Sequence, residues 1–327
     1  MIRANAKNTR PGLTNNTTCF EFVDLGETPS HCYEVNVLCK RDGVGIGKFL
    51  ILAFISTASS NLIFISISTA SMPAISDSKA IIVGGTHGIG LATAELLVHE
   101  GATLIVTGRN HKKLRSVQAQ LGDRVTVEEC DITLTEAGSV IAAQVQKTFG
   151  SGPQLDLVFI NAGYARLESV ATVSEASFRR TFDTNVFGAF FVAQALSSLI
   201  KPEGSIVFTT SIANRRGIPG MSVYSASKAA VHSFVQSLAA ELAARRVRVN
   251  SVSPGYIKTP TMGIEGTSGE DLDSFEKQGA QITPLGRVGT AEEVAKAVVF
   301  LGYEATFTTG SEIVIDGGLL SLEKVNH

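Results

Sequence analysis

The chain has 327 residues, enough for one large domain or for one domain with an appendage. Its hydrophobic fraction of 44% supports a real core and excludes wholesale disorder. The 30 acidic and 28 basic residues leave a formal net charge of -2, which argues against general nucleic-acid binding and reads as an ordinary solvated surface.

Residues 1–48 are polar and irregular, with no sustained helical or strand period. FLILAFISTASSNLIFISISTA follows, Phe49 to Ala70, uncharged and long enough to cross a bilayer. Ser56, Thr57, Ser59, Ser60, Asn61, Ser66, Ser68 and Thr69 lower its hydropathy, and it lies too deep for a cleaved secretory signal. Three readings stay open: a membrane anchor, an extension packed on the main domain, or an upstream stretch that is not translated, with synthesis starting at Met72. Asn15 and Asn16 satisfy N-x-T, which matters only if this end enters a secretory lumen. A cytoplasmic protein is expected unless residues 49–70 anchor it.

Cys19, Cys32 and Cys39 precede residue 40, and only Cys130 lies in the remainder. They form no CxxC pair and no His cluster accompanies them, so neither a metal site nor a disulfide scaffold for the main domain is expected. Cys130 reads as a small core residue.

From Ser76 the pattern alternates apolar runs with amphipathic stretches. Strands are predicted at 80–83, 103–107, 124–130, 155–160, 205–210, 247–253 and 312–316. Helices are predicted at 91–101, 111–121, 134–149, 177–200, 224–244 and 291–301. Alternation of apolar, β-branched strands with helices implies an α/β fold: a Rossmann-type doubly wound parallel sheet covered on both faces, over 76–327.

GGTHGIG, Gly84 to Gly90, follows the first of these strands and opens a helix. Gly84 lets the chain turn sharply, Gly88 lets backbone approach a pyrophosphate, and Gly90 lets the helix lie close to the sheet. The helix-start N–H groups then face phosphate, with Thr86, His87 and Ile89 completing the turn. The alternative is a tight turn with no ligand. The strand at 103–107 ends without a carboxylate, and Gly108 and Arg109 follow. An acid there would bond the ribose hydroxyls of NAD; Arg109 can instead pair with a 2′-phosphate, and His87 can add a donor. The cofactor reading is NADP(H).

YSASK places Tyr224 and Lys228 four apart on one helix face. Ser211 ends the preceding strand, and Asn185 sits in a Phe- and Val-rich stretch where a buried amide needs a partner. Reducing a carbonyl with hydride leaves an alkoxide that needs a proton. A phenol, with pKa about 10, serves near neutrality only beside a cation, and Lys228 is that cation. Ser211 can hold the carbonyl oxygen, and Asn185 can anchor a water leading from Lys228 to solvent.

With these residues in order, the chain resembles the short-chain dehydrogenase/reductase family of classical type over about residues 76 to 327. The motifs are VGGTHGIG (83–90), NAG (161–163), Asn185, Ser211, YSASK (224–228) and PGYIKT (254–259). Val83 departs from the Thr often found before the first glycine. The resemblance implies a catalytic tetrad of Asn185, Ser211, Tyr224 and Lys228, with Tyr224 as acid/base and Lys228 also on the nicotinamide ribose. It implies that Asp131 contacts adenine and that Asn161, Ala162 and Gly163 lie along the cofactor. It brings Pro254, Gly255, Ile257 and Thr259 to the nicotinamide end.

It further implies a ketone or secondary-alcohol substrate, with a ketoacyl thioester also open, and a homodimer or homotetramer using the helices at 177–200 and 224–244. Ile212, Ile218, Pro219, Met221, Tyr256 and Met262 suggest an apolar pocket. Arg215 and Arg216 read as solvated, with an anionic substrate group as the alternative. The polar, Gly-rich 263–281 reads as a mobile lid. A sensor or scaffold of this fold that binds NADP(H) without turnover is the second function class.

Overall fold

The computed structural model describes residues 75–261, 264 and 269–324, together with three strands nearer the N-terminus. The chain divides into two compact units, Met1–Met72 and Pro73–His327. In the first unit β1 (Glu34–Leu38), β2 (Leu52–Ser56) and β3 (Leu62–Ser66) pair antiparallel in that order. β2 and β3 fall within the apolar stretch in which a membrane span was one expectation. They are extended, with Phe54 opposite itself in kind at Phe64 and Ile55 opposite Ile63. β-Branched and aromatic residues favour such pairing over helix. Among the described residues no helix is long and apolar enough to cross a membrane. Asn15, Asn16, Cys19, Cys32, Cys39, Met72 and Met262 lie outside the described residues.

The second unit runs β4 (Lys79–Val83), α1 (Gly88–His99), β5 (Thr103–Gly108), α2 (His111–Leu121), β6 (Val125–Glu129), α3 (Ala137–Phe149) and β7 (Leu155–Ile160). It continues through α4 (Glu175–Phe182), α5 (Ala189–Ser197), β8 (Ile200–Thr209), α6 (Ser222–Leu242), β9 (Arg248–Pro254), β10 (Ile257–Lys258), α7 (Gly269–Ile282), β11 (Gly289–Thr290), α8 (Ala291–Val299) and β12 (Glu312–Ile315). Seven strands form one parallel sheet in the order β12-β9-β8-β7-β4-β5-β6. β4 shows why both faces are covered. Ile81 and Val83 enter one apolar cluster with α3, α5 and α6, while Ala80 and Ile82 enter the other with α1, α2 and α8. All four are fully buried, as alternate residues of a strand with a helix layer on each side must be.

The strand order reverses between β4 and β7, so the chain leaves these neighbours toward opposite flanks. Open α/β sheets bind ligands in the crevice beyond the strand ends at such a point. The turn after Val83 and the segment after Ile160 meet there. Asn161 and Ala162 donate their N–H groups to Val83 O at 2.9 and 2.8 Å.

Three segments differ from the sequence expectation. The helix predicted over 177–200 is α4, then a π-helical turn at Asp183–Gly188, then α5, which stops at Ser197. β8 begins at Ile200, five residues before its predicted start, and its pairing with β7 shifts register between Leu155 and Leu157. The 263–281 stretch, read as a mobile lid with no helix predicted in it, overlaps α7, whose first turn carries Glu270 and Asp271 where the helix dipole favours acids.

Candidate active site

The glycine turn is built by close approach. A Cβ at Gly84 would lie 2.6 Å from the Ala162 backbone, and one at Gly90 would lie 2.2 Å from Gly84 O. Gly84 and Gly88 have φ of +84° and +56°, in the region side chains disfavour. Leu91 N reaches only back to His87 O, at 3.4 Å. His87 precedes α1 in extended backbone with no side-chain capping bond, and no acid occupies the first turn. An uncapped helix start cradled by glycines suits an anion such as a diphosphate. Gly88 faces Thr259, whose Cγ2 would stand 3.1 Å from a Cβ there.

One cavity of about 570 Å³ is lined by Gly84, Thr86, His87, Gly88, Ile89, Arg109, Asp131, Asn161, Ala162, Gly163, Ser211, Tyr224, Lys228, Pro254, Gly255, Ile257 and Thr259. Of the expected catalytic and cofactor-binding residues, Gly90 and Asn185 alone stand behind its wall, in supporting positions. At one end Arg109 and Lys113 border it with Thr86, His87 and Asn110. Asn110 caps α2 by accepting from Lys113 N at 3.0 Å, which fixes the first turn that carries Lys113. Burial, and then the Lys113 charge, hold His87 below its usual pKa, so its imidazole is neutral near pH 7. Asp131 accepts at Oδ1 from the Thr133 N–H and hydroxyl, at 3.0 and 2.8 Å, which fixes the carboxylate at the cavity edge.

At the other end, the first turns of α6 bring Tyr224 and Lys228 under the Ser211 segment. Tyr224 is side-chain bonded to Ser211. Burial pushes the Tyr224 phenol up, and the Ser211 bond opposes that rise. Ser211 Oγ also accepts from Ala213 N at 3.2 Å, capping the short 3-10 turn Ile212–Asn214. Lys228 is 4% exposed, and burial brings its ammonium down to about 8. Its Nζ donates to Thr209 O at 2.8 Å and lies 5.8 Å from the Tyr224 ring centroid. The Thr209 hydroxyl donates to Asn161 Oδ1 at 3.0 Å, and Asn161 Nδ2 donates to Gly84 O at 2.8 Å. A continuous chain of bonds therefore joins Lys228 to the glycine turn.

Asn185 sits in the π-helical turn, its side chain directed at Tyr164 and at Ser227 of α6. Its Oδ1 accepts from Tyr164 N at 2.7 Å, and its Nδ2 donates to Tyr164 O and Ser227 Oγ at 2.8 and 2.9 Å. Both amide hydrogens are thus used within the protein. Asn185 Oδ1 and Lys228 Nζ each lie 3.5 Å from where a Gly163 Cβ would be, so they flank the same gap.

Ala213, Met221 and Ile264 form a buried cluster with Ile218, Phe275 and Tyr224 packed against it. This is an apolar wall beside the phenol, and α7 supplies Phe275 to it. Phe275 also packs on Tyr256, with ring centroids 4.8 Å apart. Neither arginine is simply solvated: Arg215 pairs with Glu312 at 2.9 Å, and Arg216 donates to Leu319 O at 2.6 Å. Lys113 and Thr209 went unnoticed in the sequence. Lys113 carried a weak signal, a cation in the first helical turn after Arg109. Thr209 carried none, because its hydroxyl and carbonyl act only through folding partners.

Residues 83–320 match the family model described as enoyl-(acyl carrier protein) reductase. The chain is 33% identical to 3-oxoacyl-[acyl-carrier-protein] reductase FabG of Chlamydia muridarum, over 73% of this chain and 96% of the relative. It is 32% identical to L-fucose dehydrogenase of Bos taurus, over 73% and 87%. Among solved structures, a short-chain dehydrogenase/reductase family protein aligns with a TM-score of 0.68 at 36% identity, covering 76% of this chain and 100% of that one. A glucose/ribitol dehydrogenase of Brucella melitensis aligns with a TM-score of 0.70 at 31% identity, over 75% and 98%. The match spans most of the chain in every comparison, and the chain belongs to the short-chain dehydrogenase/reductase family of oxidoreductases.

Proposed function

We propose that this oxidoreductase interconverts a ketone and a secondary alcohol with NADP(H), using Tyr224 as the acid/base. The observation that carries the reading is the convergence of Ser211, Tyr224 and buried Lys228 on one cavity, in the crevice where the sheet order reverses. The bound nicotinamide supplies or accepts the hydride. In reduction Ser211 holds the substrate oxygen, and Tyr224 gives that oxygen its proton as negative charge develops there. Lys228, largely protonated near neutrality, stabilises the phenolate left behind. Asn185 keeps the Tyr164 backbone and Ser227 in register beneath this group.

Arg109 and Lys113 would hold a 2′-phosphate, with neutral His87 as a further donor. Gly84, Gly88 and Gly90 would admit the diphosphate to the start of α1. The wall of Ala213, Ile218, Met221, Ile264 and Phe275 favours an apolar ketone of moderate size, and the FabG relatives keep a ketoacyl thioester in view. The aromatic face of Phe187, Phe190, Phe191 and Phe234 favours a homodimer or homotetramer.

The test is cofactor consumption by the full chain with a panel of apolar ketones and β-ketoacyl thioesters, run with NADPH and with NADH. Turnover that prefers NADPH, with the preference reduced at least tenfold in Arg109→Ala/Lys113→Ala, is expected. Turnover with NADH at equal efficiency would overturn the cofactor reading. NADPH binding without turnover of any carbonyl would favour the sensor reading.

A further inference from the structure

The side chain of Glu312, on edge strand β12, is fully buried, and nothing in the reaction above uses it. Its partners come from one short segment and one helix. The Thr210 hydroxyl lies 2.5 Å from Glu312 Oε1 and 3.0 Å from Val252 O; the shorter contact is to the charged acceptor, so the single proton goes to the carboxylate. Asn214 Nδ2 donates to the same Oε1 at 2.9 Å. Arg215 Nη2 stands 2.9 Å from Oε2, and His232 Nδ1, from α6, stands 3.5 Å from Oε1. Thr210 and Asn214 bracket Ser211 on either side. One carboxylate oxygen therefore clasps both ends of the turn that Ser211 caps.

We infer that Glu312 is a positioning residue: it fixes the 210–215 segment so that the Ser211 hydroxyl points at the Tyr224 phenol. The inference deepens the reading of Tyr224 and Ser211 as the reacting pair and rests on it. A side chain whose only task was burial would be apolar. A buried carboxylate costs desolvation, and here Oε1 accepts from Thr210 and Asn214 of the segment beside the site while Oε2 has the Arg215 guanidinium as its ion-pair partner. The clasp reaches across about a hundred residues of sequence, from the last strand of the sheet to the end of β8.

The test reads the Ser211–Tyr224 bond without turnover, so its failure is distinct from failure to find a substrate. Tyrosinate absorbance of the full chain is titrated against pH, and the matching Tyr224→Phe background is subtracted to isolate Tyr224 from the other four tyrosines. Ser211→Ala sets the scale: losing one hydrogen bond to the phenolate moves the step up by about 0.5–1 pH unit. Ionisable neighbours of Glu312 are Arg215 and His232, and Lys228 lies by Tyr224. Removing the Glu312 charge alone can only lower the step, because a nearby anion disfavours phenolate.

Glu312→Gln keeps an acceptor for Thr210 and Asn214, so its step is expected at or below the parent value. Glu312→Ala and Asn214→Ala are expected to move the step up toward the Ser211→Ala value. Asn214→Ala removes one arm of the clasp from a partly exposed site, and so gives a reading if Glu312→Ala does not fold. An unmoved or lowered step in Asn214→Ala, or in a folded Glu312→Ala, would overturn the inference.

Discussion

Lys228 Nζ donates to the carbonyl of Thr209 at 2.8 Å, so the buried ammonium is held by a neutral acceptor. Burial brings it from 10.5 to about 8. The folded pKa lies below the unfolded one, so below pH 8 both states are charged and the folded state bears the full desolvation cost. Between about 8 and 10.5 the unfolded state binds more protons, and stability rises with pH. Lys228→Met is expected to be more stable than the parent at pH 7, by up to about 3 kcal/mol, and to lose that advantage by pH 10.5. Denaturant melts at both pH values in the absence of cofactor check this. A variant less stable than the parent at pH 7 would contradict it.

Asn185→Ala removes three hydrogen bonds at a buried position and strands the Tyr164 N–H and C=O. A loss of about 2–4 kcal/mol is expected in urea unfolding. A loss under about 0.5 kcal/mol would mean that the π-helical turn does not depend on this amide.

Gly88→Ala and Gly90→Ala separate ligand approach from packing. A Cβ at Gly90 meets Gly84 O at 2.2 Å, whereas one at Gly88 meets only the Thr259 side chain, at 3.1 Å. Gly90→Ala is expected to lower the melting temperature sharply. Gly88→Ala is expected to keep the fold, with φ strain of about 1 kcal/mol, and to weaken NADPH binding at least tenfold by fluorescence titration. Equal melting temperatures for the two variants would contradict this.

Burial, with Asp131, Glu128 and Glu136 adding to it, pushes the Cys130 thiol up to about 11. At pH 8 its thiolate fraction is roughly a hundredfold below that of an ordinary cysteine, and alkylation should slow accordingly. Peptide-level mass spectrometry of a timed iodoacetamide reaction checks this, with the three other cysteines distinguished by position. Labelling of Cys130 at the rate of free cysteine would contradict it.

The glycine turn was legible because Gly84, Gly88 and Gly90 answer steric demands that only glycine meets, and those demands have a fixed spacing. Tyr224 and Lys228 were legible because helical periodicity alone puts them on one face. The parallel sheet followed from apolar runs alternating with amphipathic ones. The π-helical turn at Asp183–Gly188 was not legible: no residue type announces it, and its reason is a tertiary one, the bonds of Asn185 to Tyr164 and Ser227. α7 was missed because Gly269 and Ser274 weaken a helical pattern that Phe275, packing on Tyr256, helps to hold in place. Glu312 entered the sequence pattern only as the start of the strand at 312–316, and only the folded chain brings Thr210 and Asn214 to it.

The most direct measurement is the rate of NADPH oxidation with a carbonyl that the parent chain reduces, compared with Tyr224→Phe under the same conditions. Tyr224→Phe is expected to lose at least a hundredfold in kcat while its Kd for NADPH stays within about threefold, since general acid catalysis contributes on the order of 10²–10⁴. A Tyr224→Phe protein that reduces the carbonyl at the parent rate would contradict the assignment of the proton to Tyr224, and with it the proposed mechanism.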